Sequence, residues 1–164
     1  ARMENSNVPI TDPRQGERMS PLLFLDFDGV LHTADDQRFA RLPVLIDALE
    51  GMRCDIVVSS SWRHHMEIVE IGAHLGALAP RVIGVTPSVS FRPQGSESPR
   101  FIRQVEVERW LDMHAPEANV PFIVLDDDAS GFEPGWAPLL LVDAAHGLTP
   151  SDGEQIRQWL RGAA

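Results

Sequence analysis

Apolar residues fall along this chain in four short unbroken runs, each closing on a polar residue. Leu22-Leu23-Phe24-Leu25 ends in Asp26, and Ile56-Val57-Val58 ends in serines. Phe122-Ile123-Val124-Leu125 ends in aspartates, and Leu139-Leu140-Leu141-Val142 ends in Asp143. Runs of this kind predict strands buried on both faces, as in the middle of a parallel sheet, rather than strands that alternate between core and water. Between the runs the apolar spacing changes to that of helices. Residues 43–52 carry Val44, Leu45, Ala48 and Leu49; residues 64–78 continue in the same way; residues 101–113 place Ile102, Val105, Trp110 and Leu111 toward one face. At the C-terminal end, Thr149 as N-cap, Pro150 at the first helical position and Asp152 in the first turn open a closing helix with Ile156, Trp159 and Leu160. Strands alternating with helices predict an α/β fold with right-handed crossovers. Trp110 and Trp159 are expected to be core anchors.

Residues 1–20 are polar, broken by Pro9, Pro13 and Gly16, and are expected to form a loose tail ahead of one domain over residues 21–164. Residues 87–99, rich in Ser, Pro and Gly, predict a loop, either a cover for a site or a plain connection. No run approaches the roughly 18 apolar residues of a membrane span. The one cysteine, Cys54, is expected to be a reduced residue at the core edge, which fits a cytoplasmic setting.

Charge narrows the choice of partner. A formal net charge of -10 repels phosphate polymers and gives no counterion-release drive for non-specific nucleic-acid binding. An anionic substrate must therefore be held locally, and the place to look is beyond the carboxyl ends of the strands.

Three clusters stand at those ends. In Asp26-Phe27-Asp28-Gly29-Val30-Leu31, two carboxylates spaced by one residue can share a pocket, and Gly29 permits a tight turn with amides facing an anion. One acid can attack while the other handles a proton. In Ser59-Ser60-Ser61-Trp62-Arg63, hydroxyls and an arginine stand at the second strand end, where hydroxyls commonly cap the next helix. Arg63 either reaches a bound anion or is solvated. Asp126-Asp127-Asp128 makes an oxygen-rich acidic pocket of the kind Mg2+ prefers, with Asp128 the expected bystander. His32 follows the first cluster and either lines the pocket or faces solvent.

The first cluster resembles the first motif of the haloacid dehalogenase (HAD) superfamily. That resemblance implies a three-layer Rossmann-like domain with a mostly parallel sheet. It makes Asp26 the nucleophile that forms an aspartyl-phosphate, and Asp28 the general acid and base. It places the phosphoryl contact on Ser60, with Ser59 the alternative, and Mg2+ on Asp26, the Asp28 carbonyl and Asp126, with Asp127 in support. The superfamily balances these charges with a basic residue, typically lysine. This chain has no lysine. The role falls to Arg103, with Arg100 the competitor, or is absent, which would leave a non-catalytic metal-binding module. Together with Glu106-Val107-Glu108-Arg109-Trp110-Leu111 and Gly147-Leu148-Thr149, the motifs loosely resemble the HAD domain of Swiss-army-knife RNA-repair proteins. The stretches between Asp28, Ser60 and Arg103 are short, so a capless or minimally capped site is expected. Such a site admits a nucleic-acid end or another bulky phosphorylated substrate; a small phosphorylated metabolite is the alternative.

Overall fold

The computed structural model describes residues 19–89, 100–116 and 119–163. The expected tail, but for its last two residues, and residues 90–99 of the expected loop lie outside them. Five parallel strands form one sheet: β1 (Leu22–Leu25), β2 (Asp55–Val58), β3 (Val82–Val85), β4 (Phe122–Asp126) and β5 (Leu139–Leu141). Their order is β3-β2-β1-β4-β5, with β1 in the centre and every residue of it buried. The helices are α1 (Leu42–Leu49), α2 (Ile68–Ala73), α3 (Ile102–His114) and α4 (Pro150–Ala163).

The chain steps from β1 outward to β3, then crosses back over β1 to β4. Helices α1, α2 and α4 pack on the face carrying Leu23, Leu25, Ile56, Val58, Ile123 and Leu125. Helix α3 covers the opposite face, where Val107 and Trp110 meet Leu22, Phe24, Val57 and Val124. Reversing the direction of travel puts the crossover helix on the other face if the handedness is kept. The reversal lies between β1 and β4, so the crevice at their carboxyl ends is where a ligand belongs. α4 begins as expected: the Asp152 amide donates to Thr149 Oγ1 (3.3 Å), and Thr149 N–H donates to Asp152 Oδ2 (2.9 Å). Helix α1 has no basic residue in its last turn, and Arg81 and Arg157 reach its terminal carbonyls from elsewhere.

Three expectations are corrected, and one strand is added. Residues 64–78 are not one helix: a 3-10 turn over Ser61–His64, α2, and a second 3-10 turn over Gly76–Arg81 divide the segment. Gly76, at φ +53, and Pro80 stop a continuous helix. Strand β3 was not placed from the sequence, because Gly84 interrupts the short run Val82-Ile83 before Val85. β5 is an edge strand, and Leu141 is half exposed rather than buried on both faces. The inner face of α3 is not the one bearing Ile102, which is exposed; it is built from Gln104, Glu106, Val107 and Trp110. Two polar residues can be turned inward because each has a partner: Gln104 bonds Glu133 and Glu106 bonds Arg63. Cys54 is free and buried, and burial pushes its thiol up to about 12, so it is an inert core residue.

Trp110 is buried to within 2% of its surface, edge-on to Phe24 with ring centroids 5.7 Å apart and stacked on His114 at 4.4 Å. Trp110→Ala should cost about 3–5 kcal/mol in denaturant unfolding, the range for removing a large core aromatic. Thr149→Ala, which removes only a helix cap, should cost about 1 kcal/mol.

Candidate active site at the carboxyl edge of the sheet

The parallel register brings the polar strand ends into one row. Leu25 pairs with Val58 on one side and Leu125 on the other, and Val58 pairs with Val85. The next residue of each strand therefore lies level with its neighbours: Thr86, Ser59, Asp26 and Asp126. The ladder hydrogen bonds still hold there, from Thr86 N–H to the Val58 carbonyl (2.9 Å), Ser59 N–H to Leu25 (2.8 Å) and Asp26 N–H to Leu125 (3.1 Å). By strand alternation all four continue the face covered by α3. All four are buried.

Beside Asp26 the carboxylates gather. One oxygen each of Asp26, Asp126 and Asp127 lies within 4.8 Å of the others. Burial and the neighbouring Asp126 push the Asp26 carboxyl far above the usual carboxylate range, against the pull of Arg103. Asp126 is raised too, mainly by burial, although it accepts the Asp128 amide at Oδ1 (2.9 Å). Its Oδ2 is buried and has no hydrogen-bond partner among the described residues. A buried acceptor facing two further carboxylates is costly unless a cation fills the gap. All the donors are oxygens, so the set fits a hard divalent ion such as Mg2+.

Gly29 serves this cluster in a different way from that expected. Its amide donates to the His32 carbonyl (2.9 Å) and is not turned toward an anion. Its backbone is left-handed at φ +80, and a side chain there would collide with the Asp127 carboxylate. Glycine is the space Asp127 occupies. Asp128 stands apart, its side chain capping the following 3-10 turn through Ser130 N–H (3.0 Å).

The Asp28 carboxylate is outside the three-acid cluster, on the mouth of the site. Its Oδ1 lies 2.7 Å from His32 Nε2, and its Oδ2 accepts Trp62 Nε1–H at 3.0 Å. The sequence offered His32 either to the pocket or to solvent and gave Trp62 no role; the signal available for His32 was its place four residues after Asp28. Asp28 separates two cavities, one of 530 Å3 lined with Gly29, His32, Thr33 and Asp127 and one of 280 Å3 lined with Ser61, Trp62 and Met66. Arg38 borders both.

The serines divide the work between them. Ser60 Oγ accepts Trp62 N–H (3.3 Å) and caps the 3-10 turn. Ser59 Oγ, level with Asp26, is buried and has no partner among the described residues. Two arginines then fasten the strand end to α3. Arg103 NH1 donates to the Ser59 carbonyl, and Arg63 NH1 donates to the Ser60 carbonyl at 2.8 Å while its NH2 pairs with Glu106. Arg63 is thus buried rather than solvated, and both its terminal nitrogens are engaged. Arg103 is close enough to lower the carboxyls of both Asp26 and Asp126. Its stem passes over Gly131, where a Cβ would come within 2.9 Å of it. Arg100 instead lies over the Phe101 ring at 5.9 Å.

No helix among the described residues is long and apolar enough to cross a membrane. No curated protein matches the chain. A family model does match it, over residues 22–152, which takes in the central strand, the serine turn, α3 and the acidic strand end. With that match added to the parallel sheet and the acids on its carboxyl edge, the chain belongs to the HAD superfamily, in the family described as the HAD domain in Swiss Army Knife RNA repair proteins.

Proposed function

We propose that this domain is a Mg2+-dependent phosphomonoester hydrolase that works through an aspartyl-phosphate on Asp26. The observation that carries the reading is the buried carboxylate at the end of the central strand, with Asp126 Oδ2 unpartnered beside it. Mg2+ would be held by Asp26, Asp126 and Asp127 with the Asp28 carbonyl, and when bound it supplies positive charge that keeps the carboxylates ionised and offsets charge on the phosphoryl oxygens.

In the first step an Asp26 oxygen attacks phosphorus in line with the ester oxygen. The Asp26–phosphorus bond forms as the bond from phosphorus to the leaving oxygen breaks, and protonated Asp28 delivers its proton to that oxygen. In the second, Asp28 takes a proton from water, whose oxygen bonds to phosphorus as the Asp26 linkage breaks, releasing inorganic phosphate. Ser59, whose hydroxyl is unpartnered next to Asp26, suits the phosphoryl contact better than Ser60, whose hydroxyl already serves as a cap. Arg103 takes the place of the lysine. The non-catalytic alternative rests on the missing lysine, and a guanidinium beside Asp26 weakens it. The family description, an RNA-repair setting, together with two cavities at the mouth, favours a nucleic-acid end over a small metabolite as the phosphate carrier.

Phosphate release from p-nitrophenyl phosphate and from a 3'-phosphorylated oligonucleotide, with and without Mg2+, tests this directly. EDTA should stop turnover and Mg2+ restore it. Asp26→Asn should abolish turnover while melting no lower than the parent, since the amide keeps the side chain's shape and removes an ionisable group from beside buried Asp126. Substantial turnover by the purified variant, or no turnover of any ester by the parent, would overturn the reading.

Arg103→Ala should lower kcat by well over roughly tenfold, in line with removing a charge that stabilises the transition state. Arg100→Ala and Arg109→Ala should do far less in the same steady-state assay.

The raised Asp26 and Asp126 carboxyls also set a pH dependence. In the metal-free folded state they hold protons that the unfolded chain releases near its ordinary value of 3.8. The folded state binds more protons, so metal-free stability should fall as pH rises from about 4 toward 8. Mg2+, which needs the ionised carboxylates, should raise the melting temperature more at pH 8 than at pH 5. Equal Mg2+ shifts at both pH values in a thermal scan would contradict this.

A further inference from the structure

Behind Asp28 the chain has built more than an exposed carboxylate needs. The Asp28 side chain is 61% exposed, so water alone could satisfy it. Two side-chain donors from different elements nevertheless converge on its two oxygens. Trp62 Nε1, which can only donate, comes from the turn after β2. His32, buried, comes from the turn after β1.

The state of His32 follows from its other nitrogen. Nδ1 receives the backbone N–H of Phe39 at 3.3 Å, and an amide N–H can only donate. Nδ1 therefore carries a lone pair, Nε2 carries the ring proton, and the imidazole is neutral and donates Nε2–H to Asp28 Oδ1. The Phe39 amide is in turn held by unusual backbone. Phe39 sits at φ 60, a left-handed conformation that is an outlier for a bulky aromatic residue. Its ring keeps it there, edge-on to Phe27 (5.4 Å), Trp62 (5.3 Å) and His32 (5.4 Å) and stacked on His74 (5.3 Å). Strain of this kind persists where the surroundings over-determine it, and what it fixes here is one amide pointing at one imidazole nitrogen.

We propose that His32 is a positioning residue: a neutral imidazole of fixed tautomer that, together with Trp62 Nε1, orients the Asp28 carboxyl so that its free lone pairs face the leaving oxygen. This rests on the phosphohydrolase reading and adds to it. Each carboxyl oxygen has two lone pairs, and each spends one on a fixed donor. The other remains for the proton that Asp28 gives to the leaving oxygen and later takes from water. An acid free to rotate would spend most of its time out of line with that oxygen.

Two esters separate orientation from general damage. An alkyl phosphate such as glycerol 2-phosphate leaves as a poor alkoxide and needs the proton; 2,4-dinitrophenyl phosphate leaves as a stable phenolate and does not. His32→Phe keeps the ring and its aromatic contacts but removes both nitrogens. It should lower kcat on the alkyl ester by at least about tenfold with KM little changed. On the dinitrophenyl ester it should give a stoichiometric burst of phenolate at the parental rate and then a slow steady state, because water attack on the aspartyl-phosphate still needs Asp28. His32→Gln, whose amide can donate to Asp28, should recover most of the alkyl-ester rate. If His32→Phe melts far below the parent, Trp62→Phe, which removes the second donor, is compared on the same two esters. A folded variant with parental kcat on the alkyl ester, or one that loses both esters equally without a burst, would overturn the positioning role. A parent inert toward both esters would mark the failure of the phosphohydrolase reading itself.

Discussion

Burying Asp26 beside Asp126 is the constraint to which the rest of this fold answers. Two carboxylates at the end of adjacent central strands, away from water, repel each other and lose hydration, and both are driven toward protonation as a result. Nothing in the sheet itself relieves this. The relief comes from a guanidinium from α3, from the Phe27 amide donated to Asp26 Oδ1 and from the Asp128 amide donated to Asp126 Oδ1. Under the proposed reading, a divalent cation would relieve carboxylates crowded in this way.

The same constraint explains why α3 carries polar residues inward. Arg103 and Glu106 lie one turn apart on it, the first facing the carboxylates and the second holding Arg63. Between them the two arginines grip the carbonyls of consecutive residues, Ser59 and Ser60. The helix that neutralises the acids is thereby stapled to the strand end next to them, and charge and position are fixed by the same side chains. Arginine suits this double duty because its planar group offers several donors in fixed directions. A lysine carries its three donors on one atom and cannot spread them as widely.

Much of this was legible in the chain. Continuous apolar runs located β1, β2, β4 and β5, and their polar ends located the site, because burial on both faces leaves chemistry only at the edges. The failures share a physical cause. β3 was not placed because Gly84 breaks Val82, Ile83 and Val85 into a run too short to read. The inner face of α3 was assigned to Ile102 because periodicity counts apolar residues and cannot see a buried Glu106 matched to Arg63. Arg63 and His32 looked equally ready for solvent, since local sequence does not reveal a partner supplied from far along the chain or by a strained backbone. Ser59 and Ser60 could be told apart only when the register put one beside Asp26 and the hydrogen bonds gave the other to a turn.

Gly29 has a consequence of another kind. The volume a methyl group would take at that position is already filled by the Asp127 carboxylate. An alanine there would push the Asp127 side chain aside without altering any ionisable residue, and the acidic cluster would be left with two arms instead of three. In this protein a census of titratable side chains can therefore remain complete while the cluster that three of them form is gone.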